Sequence, residues 1–155
     1  MSHTIIVIDR TRRVRRAGFL KSAIEALLEA EDQPPSLVEI LITDADGIRE
    51  LNRGFRGIDR PTDVLSFPAG NGPEASHILG EVAICLPIAE EQAQTRGVTL
   101  EAELACLAIH GCQHLLGYDD DSEKSRAEMI RRMNAIAASL GHQVVEDWGS
   151  VYARN

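Results

Sequence analysis

The chain has 155 residues, 44% hydrophobic and 26% charged, with a formal net charge of −8 at pH 7. That length builds one domain, residues 1–155, with a real core, and the acidic balance excludes indiscriminate binding to nucleic acid. No apolar run is long enough to span a bilayer. Four strongly apolar residues follow the first four positions and arginines come after them, the wrong order and too short for a signal peptide.

Residues 5–8, Ile-Ile-Val-Ile, form a continuous apolar run and predict a strand buried on both faces. Arg10, Arg12, Arg13, Arg15, Arg16 and Lys21 crowd the segment after it. Ala17, Leu20, Ile24, Leu27 and Leu28 then recur with helical period, and Pro34-Pro35 ends that element. Residues 37–42 are a second strand, rich in branched side chains. Thr43 or Asp44 can cap a short helix carrying Ile48 and Leu51. Arg49, Arg53, Arg56 and Arg60 follow at spacings of four, three and four, with the helix fraying before Arg60; for Arg49 and Arg53 the expectation is a solvated face. A loop over residues 57–61 leads to a third strand at 64–67, ended by Pro68.

Two Gly, one Pro and one Asn within residues 69–77 predict a mobile connection. A fourth strand covers residues 80–86. Pro87 opens a helix that ends near Gly97. Thr99 caps the next helix, with Leu100, Leu104, Leu107 and Leu115 on its buried side and Gly117 as its stop. Asp121 or Ser122 caps a last helix whose core face carries Ile130, Met133, Ala137 and Leu140, ended by Gly141. The tail from His142, with Trp148 and Tyr152, gives no clear element. This order predicts an α+β fold: one mixed sheet of about four strands packed with helices. Cys85, Cys106 and Cys112 show no C-x-x-C spacing and read as small core residues in a reducing, cytoplasmic setting.

His110 and His114 stand four residues apart on the fourth helix, so they share one face with Cβ atoms roughly 5–6 Å apart. Two imidazoles at that spacing can close on one metal ion, and the turn Tyr118-Asp119-Asp120-Asp121 can return a carboxylate as a third ligand. Three protein ligands leave a position open for water, the mark of a catalytic zinc site. The plain alternative is two ordinary histidines beside a solvated, helix-capping turn. Gly111 occupies the place of the H-E-x-x-H glutamate, which counts against a peptidase or amidase.

The residues His110-Gly111-x-x-His114-Leu115-x-Gly117-Tyr118-Asp119 form one block. Leu51-Asn52-x-x-Phe55-Arg56 with Thr62-Asp63-Val64-Leu65-Ser66-Phe67-Pro68 is a second, and Gly80-Glu81-Val82-x-Ile84 a third. Together these blocks resemble the YbeY family of bacterial endoribonucleases, the rRNA maturation factors. The first fifty residues or so match in layout only. The resemblance implies a cytoplasmic, metal-dependent endoribonuclease specific for single strands. Its expected partners are single-stranded RNA, ribosomal RNA and the small ribosomal subunit, with no DNA and no membrane. Its expected role is in ribosome quality control and in maturing the 3′ end of the small-subunit RNA.

The resemblance further implies one Zn2+ per chain, or another divalent transition metal, on His110 and His114, with Arg56 and His114 working in the active cleft. The family pattern continues Gly-Tyr-Asp-His, with that histidine as third ligand; here the position is Asp120. Asp120 is therefore the expected ligand, with Asp119 and Asp121 as substitutes. Read from the residues alone, Arg56 is a structural ion pair with Asp59 or Asp63. Phe55 and Tyr118 can stack unpaired bases, although Phe55 reads more readily as core. Glu81 is a candidate to orient water or support a ligand. A non-catalytic ribosome-binding module with a weakened metal site is the remaining alternative, supported by the departure at Asp120.

Overall fold

The computed structural model describes residues 3–70 and 77–149. Its elements run β1 (Thr4–Asp9), α1 (Gly18–Ala30), β2 (Leu37–Thr43), α2 (Ala45–Arg56), β3 (Val64–Pro68), β4 (Ile78–Cys85), α3 (Leu86–Arg96), α4 (Leu100–Leu115) and α5 (Glu123–Ser139). The four strands form one sheet in the order β1-β2-β4-β3. β1 pairs parallel to β2 and β2 parallel to β4, while β3 runs antiparallel to β4. The fold is thus α+β with a mixed sheet, as the element order predicts. Most of the 69–77 connection, and Tyr152, lie outside the described residues. Among the described residues no helix is long and apolar enough to cross a membrane.

The strand period of two divides the sheet between two layers. Val38, Ile40, Ile42, Val82 and Ile84 face a large core shared with α1, α4 and α5. Leu41, Leu65, Ala83 and Cys85 face the other way, onto Ile48 of α2. β1 corrects one expectation. Ile5 is buried, but Ile6 is 38% and Ile8 45% exposed, because β1 is a sheet edge with helices over one face only. A run of four branched residues carries no sign of this, since edge and centre strands share the same propensity.

Helix ends follow local chemistry. Asp44 caps α2, its carboxylate accepting from Gly47 N at 2.7 Å, and Gly57 closes it in the left-handed region. Thr99 caps α4, and Ser122 caps α5 in a reciprocal box with Ser125. On α5 the buried face is Met129, Met133, Ile136 and Ala137, whereas Leu140, expected inside, is exposed at the helix end. All three cysteines are buried and free.

α4 packs closely against the sheet at Gly111. A Cβ on Gly111 would lie 2.6 Å from Val82 Cγ1 and 3.2 Å from both Ser66 Oγ and Val64 Cγ2. Ser66 Oγ also donates to the Gly111 carbonyl at 2.8 Å. Gly111→Val should therefore destabilise the protein by about 1–3 kcal/mol through overpacking. Gly54→Ala on α2, where nothing lies within 4 Å, should stabilise it by about 0.5–1 kcal/mol through helix propensity. Urea unfolding of both variants checks this, and an undiminished Gly111→Val midpoint would contradict the packing.

Candidate metal centre

α4 is enclosed by α1, α3, α5, β3 and β4, and every residue from Ala102 to Gln113 is buried. The expected one-sided amphipathic stripe is thus an understatement: Leu104 and Leu107 are buried, Leu100 and Leu115 half-buried, and the remaining sides are also covered. Such enclosure fixes the backbone that carries His110 and His114. Gln113 adds a tie to α5, its Nε2 donating to the Met129 carbonyl at 2.9 Å.

The two imidazoles converge with one carboxylate from the following turn. His114 Nε2 lies 3.3 Å from His110 Nε2. Asp120 Oδ2 lies 3.9 Å from His110 Nε2 and 3.7 Å from His114 Nε2. Donors on a tetrahedral zinc ion, with bonds of about 2.0–2.1 Å, stand roughly 3.3–3.5 Å apart. The His–His edge already has that length, and the two edges to Asp120 are a few tenths of an ångström longer. Among the described residues, His110, His114 and Asp120 are the one group of donors close enough to hold a metal ion. Asp119 instead accepts from Asp121 N at 3.2 Å and shapes the turn, and both it and Asp121 are exposed. Of three adjacent aspartates, the structure turns only Asp120 to the histidines.

Protonation suits the same chemistry. His114 Nδ1 lies 3.1 Å from the Tyr118 carbonyl, an acceptor only. The ring proton therefore sits on Nδ1, which leaves a lone pair on Nε2 toward the site. Burial, together with the nearby His114, lowers the His110 pKa from 6.5 to about 4 against the opposing pull of Asp120, so the ring is neutral at pH 7. His110 Nδ1 is buried with no hydrogen-bond partner. These residues fit a divalent ion by donor type and spacing.

Arg56, at the end of α2, lines a cleft of about 270 Å³ with Val64, Ser66, Pro68, His110, His114 and Asp120. The structure thus brings together Arg56 and the three donors. Asp59, one expected ion-pair partner of Arg56, instead takes Arg49, at 2.8 Å, and Arg53 pairs with Glu50 at 2.9 Å. Other expectations need correction. Phe55 is 70% exposed rather than in the core, its ring 4.8 Å from that of Phe67. Tyr118 is held by other groups, its hydroxyl donating to Glu31 at 2.6 Å and its ring lying under Arg132. Glu81 shares its sheet face with Ala83 and Cys85, the face away from α4, so it does not support the donors. Sequence reasoning missed Ser66 as the anchor of α4. It also missed a buried polar group behind His110, made of Gln92, Arg96, Glu103 and Trp148. Its one visible sign was Glu103, a charge followed by an unbroken apolar run from Leu104 to Ile109.

The chain is similar to known proteins over most of its length. The family described as Endoribonuclease YbeY matches residues 8–141. A protein of that description from Persephonella marina is 38% identical over 138 residues, covering 88% of this chain and 86% of its own length. One from Bacillus cereus is 35% identical over 153 residues, covering 91% of this chain and 98% of its own. A solution structure from Thermotoga maritima aligns with a TM-score of 0.65 at 33% identity, covering 88% of this chain and 89% of that one.

The lowered His110 pKa has a consequence for the metal-free protein. Between pH 6.5 and about 4 the unfolded histidine takes up a proton that folded His110 refuses. Stability is therefore unaffected by this group above 6.5 and falls as pH drops through that window, by at most about 3 kcal/mol at its acid end. In metal-free His110→Gln this loss should be absent, so its stability against pH should be flatter than wild type over the same range. Parallel curves from urea titrations at several pH values would show that His110 is not the group responsible.

Proposed function

The chain belongs to the YbeY endoribonuclease family, and from that premise we propose that it is a metal-dependent endoribonuclease that cleaves single-stranded RNA during ribosomal RNA maturation. The observation that carries this is the shared cleft: two imidazoles, one carboxylate and one guanidinium face the same space. His110, His114 and Asp120 would hold the ion, zinc being the best fit to imidazole and carboxylate donors. A divalent ion there would supply Lewis acidity and a water of lowered pKa.

The remaining work falls to the chain's own groups. Arg56 presents a planar fork of donors to phosphate oxygens and offsets the negative charge that grows as the phosphodiester is attacked. The His114 ring is fixed by the Tyr118 carbonyl, so its Nε2 keeps one direction. Phe55, exposed beside Arg56, gives an unpaired base a flat surface on which to stack. The proposed partners are single-stranded ribosomal RNA and the small ribosomal subunit, and the proposed compartment is the cytoplasm, where three buried thiols stay reduced. A peptidase is disfavoured because Gly111 has no room for the glutamate that such a site needs. A ribosome-binding module without catalysis remains the rival, since Asp120 stands farther from the histidines than they do from each other.

Metal content separates these. Purified protein should carry one divalent ion per chain, and Asp120→Ala should lower zinc affinity by about 10-fold or more, Asp119→Ala far less. If zinc binding is absent from wild type, or equal in the two variants, the three-donor site fails. Arg56→Lys keeps charge but loses the fork, so on a single-stranded RNA it should reduce kcat more than it raises KM. Cleavage by Arg56→Ala at the wild-type rate would remove Arg56 from the reaction.

A further inference from the structure

His110 and His114 are held in different ways. His114 has a hydrogen bond from Nδ1 to the Tyr118 carbonyl, whereas His110 Nδ1 is buried with no partner. A metal-ligating histidine ordinarily uses its second nitrogen to fix the ring, and the outer partner sets how well it binds. For His110 that role must fall to packing. The ring beside it is Trp148, with centroids 5.2 Å apart and planes tilted by 55°.

Trp148 is itself anchored. It is 2% exposed although it lies in the tail after α5. Its indole Nε1 donates to Glu103 Oε1 at 3.1 Å. Glu103 is also met by Arg96 at 3.3 Å and by Gln92 Nε2 at 2.9 Å. The Arg96 guanidinium lies 4.6 Å from the centre of the indole ring and also donates to the Gly149 carbonyl. A buried carboxylate and a guanidinium are costly to bring inside unless each is fully engaged. Here both are engaged largely in fastening one tail residue. The family match ends at residue 141, seven positions before it.

We propose that Trp148 is a positioning residue for His110: the tail supplies the rigid wall that sets this ligand's ring, in place of a hydrogen bond. This rests on the metal-centre reading above. The Arg96–Glu103 pair acts through the indole, and α3, α4 and the tail are thereby joined behind the site.

The test measures zinc affinity against a chelating dye, beside the melting temperature of the metal-free protein. Trp148→Ala and Trp148→Leu both remove the flat ring, and Leu keeps much of the apolar volume. Each should bind zinc about 10-fold more weakly than wild type. Trp148→Phe retains a ring and should stay close to wild type. A purely structural role would lower the melting temperature and leave zinc affinity, measured well below melting, unchanged. Wild-type affinity in either ring-less variant that folds overturns the proposal. Should Trp148→Ala fail to fold, Trp148→Leu decides. Should both fail, Trp148→Met, ring-less but long and apolar, takes their place: about 10-fold weaker binding supports the proposal and wild-type affinity overturns it. Wild-type protein that binds no zinc would instead sink the metal-centre reading. Trp148 is the chain's single tryptophan, so its emission should also be quenched when Co2+ is added to wild type but not to His110→Ala.

Discussion

Everything at the site depends on one close approach, that of α4 onto the sheet at Gly111. The helix lies so near β3 and β4 that no Cβ fits between them, and a hydroxyl from Ser66 reaches the helix backbone. The two histidines flank this contact, one before it and one three residues after. Their positions are therefore set by a backbone that cannot retreat from the sheet without opening a void, and interiors of native density resist that. The same contact brings the β3 edge, and with it the end of α2, beside the donors. A guanidinium from residue 56 and imidazoles from residues 110 and 114 thus meet in one cleft.

Where periodicity and caps speak directly, the sequence was enough. The four strands, the five helices and most of their ends follow from apolar period, from Asp44, Thr99 and Ser122, and from Gly57, Gly97 and Gly117. The pair His110 and His114 was legible because i,i+4 spacing is itself a distance. Asp120 was legible only through the family pattern, as three adjacent aspartates are equivalent until the turn is folded. What failed depended on partners far along the chain. Ile6 and Ile8 are exposed because no helix covers that side of the edge strand. Phe55 is exposed although it shares the face of Ile48 and Asn52, because it stands on the last turn of α2, beyond the core. Glu81 lies on the wrong side because strand phase relative to α4 is a property of the assembled sheet.

The tail illustrates the same limit in reverse. Trp148 had no periodic neighbours to place it, yet it is among the best-buried residues of the molecule. Its position is determined by Glu103, itself conspicuous on a helix that is otherwise apolar at that depth. Burial raises the Glu103 pKa, and Arg96, the indole N–H and Gln92 oppose that shift. Those three are the groups that bond it in place.

Cys112 gives the buried thiols a bearing on how a metal would be acquired. In the unfolded chain it stands between His110 and His114 with ordinary acidity, and a thiolate is a stronger ligand for soft ions than a carboxylate. Folding buries it and pushes its pKa up to about 12. The folded chain therefore offers a harder donor set than its local sequence does: two nitrogens and an oxygen, with the sulfur withdrawn. An ion captured by the nascent chain would meet different ligands from one captured by the finished protein. Selection among metals would then turn on timing, with the fold as the filter.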